Sequence, residues 1–305
     1  MKLFVTGATG VLGRRAVPLL VQAGHTVTAV ARSKEKADAL RRQGAEPVHV
    51  DLFDPGAVKA AVAGHEGVVN LATNIPSPTR ALLPGAWSDN ARIRTEGSRN
   101  LVDAALAAGA TRYVQESIAF IYRHGADAWI DEDVPLDPPG LGAPSVEAEA
   151  QTRRVTEAGG AGVVLRFGQF YASDSSHSAY MCRMIRMRLP ALPGPHGAYG
   201  PSISADDAAA GVVAALEAPA GTWNVTDDEP LTRRAFNATL ADAIGVKPPI
   251  GTGSALLRLS ATTRFYLRSQ RVSNRRFKEA TGWAPERPEA ASGLHAMVAA
   301  MQTPA

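Results

Sequence analysis

The sequence predicts an α/β fold built on a doubly wound parallel sheet, and two observations carry that prediction. Lys2–Thr6 is a short apolar run that ends in a glycine turn (Gly7, Gly10, Gly13). It is followed at once by Val11, Leu12, Val17, Leu19, Leu20 and Val21 at helical spacing. Short β-branched runs then alternate with helical stretches as far as Phe167, the rhythm of parallel strands joined by helical crossovers. Right-handed crossovers place the helices on both faces of the sheet, so the architecture is Rossmann-type.

The elements follow in order. His25–Ala31 reads as the second strand and Lys34–Gln43 as a helix; Glu46–Val50 is the third strand, closing on Asp51-Leu52. Asp54-Pro55 opens the next helix, with Asp54 as N-cap and Pro55 in the first turn. Gly67–Leu71 is the fourth strand, and the proline-rich stretch Asn74–Pro84 is irregular. Trp87–Ala108 reads as one long helix, Arg112–Ser117 as the fifth strand, Ser145–Glu157 as a helix and Gly162–Phe167 as the sixth strand. Beyond Gly168 the rhythm changes. Met181–Leu189, Ala205–Leu216, Thr232–Ile244, Leu256–Leu267, Asn274–Thr281 and Glu289–Met301 read as helices, and Gly221–Val225 as a strand. The expected division is a dinucleotide-binding domain over 1–168, its sheet completed by parts of 200–225. A smaller, mostly helical and discontinuous substrate lobe spans 169–305.

Composition narrows the class. The net charge of +3 over 305 residues gives no reason to expect nucleic acid or an anionic membrane as partner. Cys182 is the single cysteine, which excludes an intramolecular disulfide and a cysteine metal cluster; no metal is expected. No apolar stretch reaches membrane-spanning length, so the expectation is a soluble cytoplasmic protein acting on a small-molecule substrate. An anionic substrate and a homodimer are open expectations.

A glycine turn that leaves a strand and opens a helix aims free backbone N–H groups and the helix dipole at one point, which suits a pyrophosphate. Gly7 permits the tight turn, Gly10 lets phosphates approach, and Gly13 lets helix pack on strand. The end of the second strand selects the cofactor: an acidic residue there would accept from ribose hydroxyls, but the sequence has Ala31 followed by Arg32. NADP(H) is therefore expected in preference to NAD(H).

At this point the sequence resembles the extended short-chain dehydrogenase/reductase superfamily, in its NAD-dependent epimerase/dehydratase branch. Thr6–Gly13 (TGATGVLG) looks like the TGxxGxxG turn, Asp51-Leu52 like the adenine-contacting pair, and Asn70–Thr73 like the strand-four segment along the cofactor. Glu96–Val102, Arg166–Tyr171, Ile203–Asp207 and Thr222–Val225 resemble later motifs, in the same order. The resemblance implies a dinucleotide held by Gly7, Thr9, Gly10, Val11, Leu12, Gly13, Arg32, Asp51, Leu52, Leu71, Ala72 and Thr73.

The catalytic pattern departs from the family. There, a tyrosine acts as acid–base group, a lysine four residues later lowers its pKa, and a Ser/Thr holds the substrate oxygen. The corresponding places hold Ser145, Glu149 and Ile118, and no lysine occurs between Lys59 and Lys247. The degenerate motif leaves Ser117, Tyr122, Ser145, Glu149 and Tyr171 as candidate catalytic residues, with His177 as a further base. Glu116 is out of character in a buried strand; it either reaches the site at the strand's end or pairs with an arginine such as Arg94 or Arg166. Two arginine groups, Arg183/Arg186/Arg188 and Arg264/Arg268/Arg271/Arg275/Arg276, would suit phosphate or decorate the surface. The expected function is an NAD(P)-binding enzyme of epimerase/dehydratase type with non-standard catalytic residues. The alternatives are a dinucleotide sensor without turnover, or a lyase, cyclase or isomerase that uses the fold without redox work.

Overall fold

In the computed structural model, residues 1–77, 79–81, 83, 85–252, 257 and 264–302 are described. The strands in chain order are β1 (Lys2–Thr6), β2 (Thr26–Val30), β3 (Glu46–Val48), β4 (Gly67–Asn70), β5 (Arg112–Ile118), β6 (Trp129–Ile130), β7 (Ala161–Phe167), β8 (Gln169–Tyr171), β9 (Ser202–Ser204), β10 (Gly221–Val225) and β11 (Arg271–Val272). The helices are α1 (Gly13–Gln22), α2 (Lys34–Arg42), α3 (Pro55–Val62), α4 (Ser88–Arg92), α5 (Ser98–Ala108), α6 (Ala143–Glu157), α7 (Ser176–Arg186), α8 (Ala205–Ala214), α9 (Arg233–Ile244), α10 (Arg275–Thr281) and α11 (Ala290–Gln302).

One seven-stranded parallel sheet runs in the order β10-β7-β5-β4-β1-β2-β3, the doubly wound arrangement that the alternating pattern predicts. Its two faces are buried by separate apolar layers. Val5, Val69, Val114 and Leu165 pack toward α1 and α8, while Phe4, Val68 and Tyr113 pack with Leu101 and Val102 of α5. The chain returns to the sheet late, because β10 pairs with β7 and α8 packs on α1.

Local chemistry sets several boundaries. The Asp54 carboxylate accepts from the amides of Gly56 (2.9 Å) and Ala57 (3.0 Å), and Ser33 and Thr232 cap α2 and α9 in the same way. The register lines up polar residues along the carboxyl edge of the sheet. Thr6 faces Asn70, Asn70 faces Gln115, and Arg166 lies between Ser117 and Asn224.

Three features differ from the sequence reading. The expected single helix over Trp87–Ala108 is interrupted by a π-helical turn, Ile93–Gly97, between α4 and α5. The helix expected at Met181 begins five residues earlier, at Ser176. Two short parallel ribbons, β8 with β9 and β6 with β11, are too brief for any periodicity to announce. Most of the helix expected over Leu256–Leu267 lies outside the described residues; Arg264–Leu267 is a 3₁₀ turn.

Candidate active site

The three glycines divide into two kinds. Gly7 has φ of 67°, and a Cβ there would lie 2.2 Å from the Leu71 carbonyl oxygen. A Cβ on Gly13 would lie 2.2 Å from the Gly7 oxygen and 2.6 Å from the Ala8 Cα. Both glycines serve the protein's own packing. Gly10 is exposed, and a Cβ there would meet just the Gly7 oxygen, at 3.3 Å. Its bare face points outward. Gly10 donates to the Gly7 oxygen (3.0 Å), but the amides of Val11 and Leu12 have no partner among the described residues. No side chain caps α1. Free amides, a helix N-terminus and a missing side chain together make a cradle that a pyrophosphate fits.

The cradle is held from below. Asn70 accepts from the Thr6 hydroxyl (2.6 Å), donates to Ser98 (3.2 Å) and Gln115 (3.0 Å), and receives the Ala72 amide (3.2 Å). The segment after β4 is thereby fixed beside the glycines. Further along the edge, the Asp51 carboxylate accepts from the Phe53 amide (2.9 Å) and the Leu52 carbonyl from Asn100 (2.9 Å). Arg32 is exposed at the end of β2 and makes no ion pair among the described residues.

A cavity of about 460 Å³ opens from the cradle and runs over the carboxyl ends of β4, β5 and β7. Gly7, Gly10, Val11, Leu12, Gly13, Leu71 and Thr73 line it; Thr9, Arg32, Asp51, Leu52 and Ala72 stand outside its walls. The rest of the wall is chiefly apolar, with Ile75, Trp87, Ile118, Phe120, Phe167 and Phe265. Among its polar groups, Arg94 and Glu116 are 2% and 5% exposed. Arg94 Nη2 lies 3.0 Å from Glu116 Oε1 and 2.8 Å from Oε2, and Nη1 donates to the Glu116 carbonyl (3.3 Å). Oε2 is buried without an aligned hydrogen bond. Burial pushes the Glu116 carboxyl above the usual carboxylate range, against the pull of Arg94, and the charge of Glu149 adds to the rise. His177, also on the wall, is held below the usual imidazole pKa by burial, and its Nε2 lies 3.2 Å from the Gln169 amide nitrogen. The neutral ring thus accepts from Gln169.

The candidate catalytic residues are placed differently. Ser117, Tyr122 and Glu149 come together around Arg166, and none of them lines the cavity. The Glu149 carboxylate accepts from Arg166 Nε (2.9 Å) and Nη2 (2.6 Å) and from the Ser117 hydroxyl (2.6 Å). Arg166 Nη1 donates to the Tyr122 hydroxyl (2.8 Å), which donates to Asn224 (2.8 Å). Burial drives the Tyr122 pKa up to about 12. The Ser145 hydroxyl is buried with no partner among the described residues. Tyr171 lies elsewhere, its hydroxyl 3.4 Å from Asp227. None of these five side chains lines the cavity, whereas Ile118, in the Ser/Thr place, does. Both readings of Glu116 hold at once: it reaches the cavity and pairs with Arg94. Sequence reasoning did not find Trp87, Phe120 or Phe265, because aromatic residues in loops and helix ends carry no periodic signal.

The profile of a family described as NAD(P)H-binding matches residues 7–219. The chain belongs to this family. It is 37% identical over 307 residues to a 3-diazoavenalumate denitrifying reductase from Streptomyces sp, covering 96% of this chain and 99% of the relative. A Stigmatella aurantiaca ketoreductase of 4-hydroxy-2-methyl-3-oxo-4-farnesyl-3,4-dihydroquinoline-1-oxide is 28% identical, over 82% of this chain and 75% of its own. Among solved structures, a human epimerase family protein with NADPH superposes with a TM-score of 0.81 at 25% identity, over 98% and 99% of the two chains. The neighbours place the chain in the NAD-dependent epimerase/short-chain dehydrogenase superfamily. No helix among the described residues is long and apolar enough to cross a membrane.

Proposed function

We propose that this chain is an NADP(H)-preferring reductase of a neutral, conjugated small molecule, working without the Tyr–Lys relay of its superfamily. The observation that carries the reading is the continuity of the glycine cradle with an apolar-walled cavity from which Ser117, Tyr122, Ser145, Glu149 and Tyr171 are absent. Two relatives that are reductases by name, of a diazo compound and of an oxo-dihydroquinoline, support the reductase part of this reading. A bound reduced nicotinamide supplies a hydride. The amides of Val11 and Leu12 would hold its pyrophosphate, with Gly10 leaving room and Leu71 and Thr73 flanking it. Arg32, exposed where an acidic residue would select NAD(H), favours the 2′-phosphate.

Charge favours a neutral acceptor over the anionic one that the arginine groups suggest. Arg94 is engaged by Glu116. Arg183, Arg186 and Arg188 are exposed, Arg268 pairs with Asp137, Arg276 with Asp131 and Asp133, and Arg271 stacks on Trp129. A phosphorylated acceptor would meet no free arginine among the described wall residues.

The test uses NADPH carrying deuterium at the transferable position, with a panel of aryl ketones and aromatic diazo compounds. Deuterium in the product, matched by dinucleotide oxidation, is expected. Product without dinucleotide oxidation would instead favour the lyase, cyclase or isomerase alternative. Tight dinucleotide binding with no product across the panel would favour the sensor.

A further inference from the structure

Hydride addition to a neutral carbonyl or diazo group leaves an anion that must gain a proton, so the site needs an acid. With Ser117, Tyr122 and Glu149 engaged around Arg166 and off the cavity wall, the titratable side chains on the described wall besides Arg94 are Glu116, His177 and Tyr266. We infer that Glu116 is that acid: its carboxyl group passes a proton to the acceptor atom that gains the electron pair, and Arg94 steadies the carboxylate left behind. The inference rests on the reductase reading above.

Three observations converge on Glu116. It sits two residues before Ile118 on β5, and alternate residues of a strand share a face. Its side chain therefore leaves the sheet on the same side as the residue in the family's Ser/Thr place. Arg94 Nη2 lies 3.0 Å from Oε1 and 2.8 Å from Oε2, and Oε2 has no aligned hydrogen bond, so the carboxyl group is held at the cavity wall with one oxygen not fully satisfied. Arg94 itself rides on the π-helical turn Ile93–Gly97, and such one-turn widenings concentrate at functional sites.

The groups facing Glu116 act in opposite senses. Burial and Glu149 favour the protonated carboxyl, and Arg94 favours the carboxylate. The charge of Glu149 is matched by Arg166, and His177 is held neutral across the cavity. Burial lowers the His177 pKa and its Nε2 faces the Gln169 amide NH2, so the ring holds no imidazolium proton to give.

The step balances. The carboxyl O–H of Glu116 breaks as an O–H or N–H forms on the acceptor. A reduced nicotinamide dinucleotide gives the hydride, the acceptor gains two electrons, and the carboxylate recovers its proton from water.

The experiment compares wild type with Glu116→Gln and Glu116→Asp. For a neutral aryl ketone or diazo acceptor, kcat/KM of the wild type should fall as pH rises through the Glu116 pKa. Glu116→Gln should lose that limb and roughly a hundred- to ten-thousand-fold in rate. Its calorimetric affinity for NADPH should stay within about threefold, and Glu116→Asp should recover part of the rate. An aryldiazonium cation needs no proton on accepting hydride, so Glu116→Gln should reduce it with little loss. Equal loss on neutral and cationic acceptors, or an unchanged pH limb, would overturn the inference. A second readout needs no turnover. Difference infrared titration should show a protonated-carboxyl band in wild type that Glu116→Gln lacks. A band gone by about pH 5, the range of an ordinary carboxyl, overturns the acid role. A band persisting toward neutrality with no acceptor reduced supports the proton on Glu116 and sinks the reductase reading instead.

Discussion

Gly10 and Gly13 stand three residues apart in one motif, yet substitutions there should fail in different ways. A Cβ at Gly13 would enter the backbone of Gly7 and Ala8, so Gly13→Ala should destabilise the fold, by about 1–3 kcal/mol as for other overpacked sites. A side chain at Gly10 projects into the space a pyrophosphate needs, so Gly10→Val should unfold near the wild-type denaturant midpoint while losing NADPH binding. Urea melts and calorimetry on the two variants check this; a Gly10→Val protein that binds normally would contradict the cradle. Arg32 makes the complementary case. Arg32→Ala should weaken NADP(H) by about tenfold, the loss of one charge-assisted contact worth roughly 1.4 kcal/mol, and leave NAD(H) unchanged. Equal weakening of both would remove the argument for preference. These positions are legible in the sequence because each is fixed by backbone geometry that a short motif encodes. Arg94 is the counterexample: its partner Glu116 stands out in the sequence, but the π-helical turn that delivers it has no sequence signature.

Between elements, α6 is tied to β7 by a buried, bidentate Glu149–Arg166 pair. Removing one partner leaves an uncompensated buried charge, so Glu149→Ala should cost about 3–5 kcal/mol. Glu149→Gln combined with Arg166→Met should cost less than the sum of the single changes, since no isolated charge remains. Tyr122→Phe removes a hydroxyl bridging Arg166 and Asn224 and should cost about 1–3 kcal/mol while leaving kcat/KM within severalfold. A large rate loss in Tyr122→Phe without a stability change would make it catalytic after all. A second buried acid joins the ribbon strands β8 and β9: Asp227 accepts from Ser202 (2.9 Å) and lies 3.4 Å from the Tyr171 hydroxyl. Burial holds its pKa well above the ordinary value. The folded state then binds a proton that the unfolded state releases, so this contribution is full below the unfolded pKa and is lost as pH rises through the folded one. Asp227→Asn should flatten that decline, read as urea stability across pH. Long crossover helices and sheet strands were readable from period and caps; the ribbons were not, because pairs of two or three residues are fixed by tertiary contacts alone.

At the scale of the whole molecule, dinucleotide binding and fold stability are linked through α1. Arg14 and Arg15, directly after the glycine turn, bind Asp174 in the segment after β8, and Arg15 also binds Asp206 on α8. The cradle thus joins the first βα unit to the part of the chain that returns late to the sheet. The parallel order of the sheet was legible because every crossover repeats one rule. The cavity was not, since its walls come from loops and helix ends far apart in sequence that meet only once the sheet has formed. A ligand that binds the folded chain alone stabilises it by mass action, by about 2.7 kcal/mol at a hundred times Kd. With an unfolding entropy of roughly 2 cal/mol/K per residue, a chain of 305 residues should gain about 4 °C in Tm from NADPH at that concentration. Gly10→Val should gain nothing under the same conditions, because its cradle is blocked while its core is intact. Scanning calorimetry with and without NADPH distinguishes the two. An equal rise in both proteins would mean that the dinucleotide stabilises the chain from somewhere other than the glycine turn.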